Sequence, residues 1–134
     1  MSPASCQAWI LLSVPDEPAA LDRVIGVADA INHAIPTQDE LNLSLGFLQS
    51  AGFVLKQQNQ FRLSPSGIEL IAQARAPGGS IFDVWHRLAS HLAQQPQIQY
   101  VPETLSAIEV SAAHAAYSNR FWQQYAQLKG RGEA

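Results

Sequence analysis

The side chains able to do acid–base, nucleophilic or metal chemistry are one cysteine, Cys6, and four histidines, His33, His86, His91 and His114. His86 and His91 stand five apart, so on a helix they point to different sides and cannot clamp a metal as an i, i+4 pair does. There is no HExxH and no Cys/His cluster. Cys6 lies near a helix start, where a thiol pKa can be depressed, but the sequence sets no histidine beside it. Gly78-Gly79 lacks the lysine and the preceding strand of a phosphate loop. Asp83 and Arg87 have the spacing of an ordinary surface ion pair. The expectation is no catalytic residue, no cofactor and no metal, hence no enzyme.

Binding chemistry is better represented. Asn42 and Gln49 can read adenine edges, and Lys56 and Arg62 beside a polar hairpin tip can meet phosphates. Between Arg23 and Lys56, however, there is no Lys or Arg at all. Asp39 and Glu40 in that gap repel phosphate. Leu43 and Phe47 face outward on the same segment, and each forgoes about 1.5–3 kcal/mol of burial unless another subunit, a partner or the chain's own C-terminal half covers it. A second apolar surface lies near the end, where Val110, His114, Tyr117, Phe121, Tyr125 and Leu128 fall within a narrow helical arc. Ile108, Ala112, Ala115 and Ala116 line another face of that segment. A helix apolar on two sides is either buried in its domain or sandwiched between subunits.

The elements that must position these residues follow from capping and periodicity. Ser5 caps a short helix through Ser13, and Pro15-Asp-Glu-Pro18 stops it and starts a second helix to His33. Thr37-Gln-Asp-Glu40 is a capping box, in which hydroxyl and carboxylate satisfy each other's free backbone donors. The helix it opens carries Leu41, Leu45 and Leu48 as one stripe, and Gly52 suits a left-handed cap. Phe53–Leu55 and Phe61–Leu63 read as short strands flanking the tip Lys56–Gln60. Ser64-Pro65 opens a helix to Ala74, and Ser80-Ile-Phe-Asp83 opens another to Ala93 with Ile81, Trp85, Leu88 and Leu92 along one side. Gln94–Pro102 is extended, a long helix spans Glu103–Lys129, and residues 130–134 form a frayed tail.

The bulk numbers constrain the class. A chain of 134 residues suits one domain, 47% hydrophobic residues supply a core, and 14% charged residues is low for a surface. The formal charge of −3 gives no global attraction to phosphates. The single cysteine excludes an intrachain disulfide framework. The apolar run Ala8–Leu12 has no basic residues before it and is too short for a membrane span, so a soluble, cytoplasmic protein is expected with no membrane partner.

Glu40-Leu41, Leu45, Leu48, Ala51-Gly-Phe-Val54, Leu63-Ser-Pro-Ser-Gly67 and Leu70 together resemble the core of bacterial winged helix-turn-helix regulators of the MarR/PadR sort. Ser64 stands where a threonine is usual in that pattern. The resemblance covers roughly residues 8–74. It implies a mainly α fold with a small β-hairpin: a winged-helix domain over 1–75, then two C-terminal helices over 76–134 that pack on it within one compact unit. It also implies that the Thr37–Ser50 helix enters a major groove, that the wing at 54–63 touches a flanking phosphate, and that the last helix forms a homodimer.

Two functions are therefore expected. One is a non-catalytic regulatory or protein-interaction module, dimeric, with its surface at Leu43, Phe47, Tyr117, Phe121 and Tyr125. The other is a transcriptional regulator holding duplex DNA through Asn42, Gln49, Lys56 and Arg62. The absence of cations across Val24–Leu55 favours the first.

Overall fold

The computed structural model describes residues 1–95 and 99–132, with side chains of the last helix through Lys129. The protein is mainly helical with a small three-stranded antiparallel sheet. Helix α1 (Pro3–Ser13) begins one turn earlier than the sequence indicates, because Ser2 and not Ser5 is its cap: the Ser2 hydroxyl accepts from the Ser5 N–H at 3.1 Å. Every residue from Cys6 to Val14 is buried, which makes α1 the central rod of the molecule. The Trp9 indole donates to the Ala28 carbonyl at 2.9 Å and the Ser13 hydroxyl to the Trp9 carbonyl at 2.8 Å, so no polar atom is stranded there.

Strand β1 is only Ala19–Ala20, and helix α2 runs Leu21–Asn32, ending on His33 in the left-handed conformation. Helix α3 (Gln38–Ser50) opens on the expected reciprocal cap between Thr37 and Glu40, with bonds of 3.1 and 2.9 Å. Its stripe of Leu41, Leu45 and Leu48 is fully buried. Gly52, at φ 84°, turns the chain into the hairpin β2 (Val54–Gln57) and β3 (Gln60–Leu63). The strands are longer and the tip shorter than expected, since only Gln58 and Asn59 stand between them. Strand β3 is central, pairing Phe61 with both Ala19 and Lys56. Two alanines give no alternation to read, which is why β1 escapes detection from sequence.

Helix α4 (Pro65–Arg75) opens on the Ser64 cap, and α5 (Ile81–Ala93) on the reciprocal Ser80–Asp83 cap. Arg87 does not pair with Asp83 but donates to the Ala74 and Gly78 carbonyls, tying α5 to the end of α4. Val84, Leu88 and Leu92 of α5 join the same hydrophobic core as α1. There Trp85 stacks on Trp9 with ring centroids 6.3 Å apart and donates to the Ser5 carbonyl at 2.8 Å. Helix α6 (Ala107–Gly132) starts four residues later than expected: Ser106 and Glu109, not Glu103, make its capping box. Of the expected extended stretch Gln94–Pro102, residues 96–98 lie outside the described residues, as do 133–134 of the expected tail. No helix among the described residues is long and apolar enough to cross a membrane.

Candidate functional site

The part of the outward face of α3 that carries Gln38, Asn42, Gly46 and Gln49 is covered by the chain itself. Residues 99–106, which join no helix or strand, cross it as an extended strap. The Glu103 N–H donates to the Asn42 carbonyl at 2.9 Å. Two residues on, the Leu105 N–H donates to Asn42 Oδ1 at 2.9 Å, while Asn42 Nδ2 donates back to the Leu105 carbonyl at 3.1 Å. Gln38 Nε2 gives that carbonyl a second bond at 3.0 Å. One asparagine thus bonds to the main chain of two strap residues, Glu103 and Leu105, with its carboxamide both donating and accepting there.

Side chains lock the register. The Glu103 carboxylate accepts from Gln49 Nε2 at 2.6 Å and from Lys56 Nζ at 2.7 Å. The Glu103 side chain is only 9% exposed, so this pair is screened less than a surface salt bridge. Burial pushes its carboxyl up, but the bonds from Lys56 and Gln49 outweigh burial and leave it below the usual carboxylate range. Leu105 is buried, and the Tyr100 ring meets Phe47 edge-on at 5.6 Å. Gly46 leaves room for the crossing main chain. A Cβ there would lie 2.5 Å from the Val101 carbonyl oxygen, 2.7 Å from Pro102 Cα and 2.9 Å from the Glu103 nitrogen.

Asn42, Gln49, Lys56 and Phe47 are therefore brought together by the chain's own C-terminal half, through the segment before its long helix. Leu43 stays 49% exposed beside an open cleft shared with Met1, Ser2 and Tyr100. Arg62 is exposed and, paired with Leu55, stands on the opposite face of the hairpin from Lys56. Gly46, Tyr100, Glu103 and Leu105 were missed as site residues. One signal for them was present: a glycine in mid-helix weakens the helix by about 1 kcal/mol, and close approach of another backbone is a common reason to retain it.

The aromatic stripe of α6 divides in two. Its first half packs on α2 through Val110, Ala113 and Tyr117. The Tyr117 ring lies on Gly26, where a Cβ would come within 2.9 Å of it, and its hydroxyl donates to Asp29 Oδ2 at 2.7 Å. Arg120 pairs with Asp22 at 2.6 Å. Past that pair every described side chain, 121 to 129, is exposed. Phe121, Trp122, Tyr125 and Leu128 are 48, 60, 52 and 66% exposed, and the three rings touch edge-on in sequence. The seam outlasts its partner helix.

His86 and His91 both line a shallow cleft with Arg87 and Gln94, away from Cys6. Cys6 is buried, and burial foremost, with the Glu40 carboxylate adding, raises its thiol pKa; the Ser44 hydroxyl donating at 3.3 Å does not offset this. The structure thus corrects the idea of a depressed thiol, since burial favours the protonated sulfur. Among the described residues no three His, Cys, Asp or Glu side chains gather as a metal site would need. Comparison with protein-family models, with curated proteins and with solved structures found no match to this chain.

Proposed function

We propose that this chain is a non-catalytic winged-helix module that acts through protein contacts. The order α1, β1, α2, α3, β2, β3 with β3 central is the arrangement a winged helix requires, with α3 as its recognition helix and β2–β3 as its wing. The observation that carries the reading is the strap. Three of the four groups suited to DNA, Asn42, Gln49 and Lys56, are bonded to residues 103–105, and Glu103 puts a carboxylate where a phosphate would sit. A surface engaged in this way recognises polypeptide.

The projecting end of α6 supplies the contact between two copies. Phe121, Trp122, Tyr125 and Leu128, each about half exposed, leave on the order of 400 Å² of apolar side chain free, near the upper end of what monomers tolerate. Pairing two such patches buries roughly 800 Å², which fits a weak, concentration-dependent homodimer. Sedimentation of the intact chain and of a Phe121→Glu, Tyr125→Glu variant tests this: the intact chain dimerises with rising concentration and the variant stays monomeric. Duplex DNA binding at about 50 and 200 mM salt tests the rest. Binding that weakens steeply with salt and disappears in Lys56→Glu, Arg62→Glu would overturn the protein-contact reading in favour of a DNA-binding regulator.

A further inference from the structure

The strap is held the way a bound peptide is held. Three of its side chains are gripped and three are free: Tyr100, Glu103 and Leu105 are engaged, while Val101, Pro102 and Thr104 are exposed. Its main chain is read at two residues, Glu103 and Leu105, by Asn42, assisted by Gln38. The hydrogen-bonding groups come from α3 and β2, Leu105 faces a cleft shared with Leu21, Phe61 and Ala113, and α3 is anchored from its other side by Leu41, Leu45 and Leu48, all fully buried. The polar side of the groove thus stands on a helix whose own anchorage does not involve the strap. It also selects by charge: Lys56 and the Gln49 amide converge on one carboxylate, and without Glu103 that cation would stand unpaired at the groove's end.

We propose that this face of α3, with Lys56, is a docking groove for an extended segment of a partner protein bearing an aromatic residue, an acidic residue three positions later and a leucine two beyond that. The strap is the groove's resident occupant. The proposal rests on the protein-contact reading above and gives that partner its chemistry. A tethered strap competes at an effective concentration on the order of millimolar, so a partner segment gains the groove by adding contacts outside it or by reaching a chain whose strap is weakened. An acidic, extended ligand is favoured over a helical one because the groove bonds to main-chain N–H and C=O groups, which a helix has already paired.

The test uses the full chain with Tyr100→Ser and Glu103→Ala, which weaken the strap and leave buried Leu105 in place. The probe is a fluorescein-labelled peptide of residues 99–106, followed by anisotropy. The weakened variant is expected to bind it saturably and about tenfold or more tighter than the intact chain, where the tethered strap competes. Exchanging the peptide's glutamate for lysine, or adding Lys56→Glu to the variant, is expected to abolish that gain. A folded variant, by circular dichroism and a cooperative melt, that binds no peptide would overturn the proposal. So would equal binding of the lysine peptide, which would mark a merely apolar surface. Association of the variant with the intact chain through the latter's strap would overturn the partner assignment in favour of a second copy. None of these readouts depends on DNA binding or on α6, so failure here is separable from failure of the broader reading.

Discussion

Replacing Gly46 by alanine sets two physical effects against each other with opposite signs. Alanine in mid-helix stabilises a helix by about 0.5–1 kcal/mol relative to glycine. The new Cβ, however, would stand 2.5 Å from the Val101 oxygen, against 3.4 Å for an ordinary contact, and the three nearest atoms all belong to backbone and cannot rotate away. The strap must rise by about 0.9 Å, which takes the 2.9 Å bond from Glu103 to Asn42 past hydrogen-bonding range. Overpacking of this kind costs about 1–3 kcal/mol. It is capped by the strap's own docking energy, because the strap can let go without unfolding the core. The net expectation is a loss of roughly 1 kcal/mol, concentrated in the strap. Urea unfolding followed by tryptophan fluorescence gives the global value, and amide exchange at Glu103 and Leu105 gives the local one. A lower midpoint with those two amides deprotected is expected. A Gly46→Ala variant that is more stable by about 0.5–1 kcal/mol, with both amides still protected, would refute the geometry of the crossing.

Three further outcomes follow from the charged and titratable contacts. The Glu103 carboxyl titrates below its ordinary value, so the strap's ionic anchoring is complete above about pH 4.3 and is lost as pH falls through the lower folded value. Glu103→Gln removes that acid dependence, read from the Asn42 side-chain amide resonances. Tyr117 behaves oppositely: its bond to Asp29, then burial, holds the phenol above its ordinary value. Its contribution to α6 docking is therefore complete below about pH 10 and is lost as pH rises through the raised value, whereas Tyr117→Phe shows no such alkaline loss in a melting-temperature profile. Finally, the Cys6 thiol is expected to react with a chromogenic disulfide at a rate set by opening of the fold, slowly in buffer and fast in urea.

What could be read from the sequence was what neighbouring residues decide. The Thr37–Glu40 and Ser80–Asp83 caps, the Leu41/Leu45/Leu48 stripe and the left-handed Gly52 involve partners within a turn or two, and each stands as its local chemistry requires. The strap was illegible because its bonds join residues about sixty apart, such as Asn42 and Leu105, and no periodicity links an extended segment to the helix it crosses. Helix α6 starts later than its sequence indicates because Glu103 is bonded to Gln49 and Lys56, and the cap is made by Ser106 with Glu109 instead. On α6 the arc from Tyr117 to Leu128 was visible, but where α2 ends beneath it was not.

The burial of α1 on every side has a consequence for synthesis. Its cover on one flank is α5, and the Trp9–Trp85 stack and the Ser5–Trp85 bond cannot form until roughly 70 further residues have been made. At about 5–20 residues per second that is a wait of several seconds with an apolar helix unsheathed. Residues 1–75 expressed alone would keep α1 in that state permanently. The helix at the centre of the finished molecule is thus its most aggregation-prone segment while the chain is still being translated, and the one with most need of a chaperone.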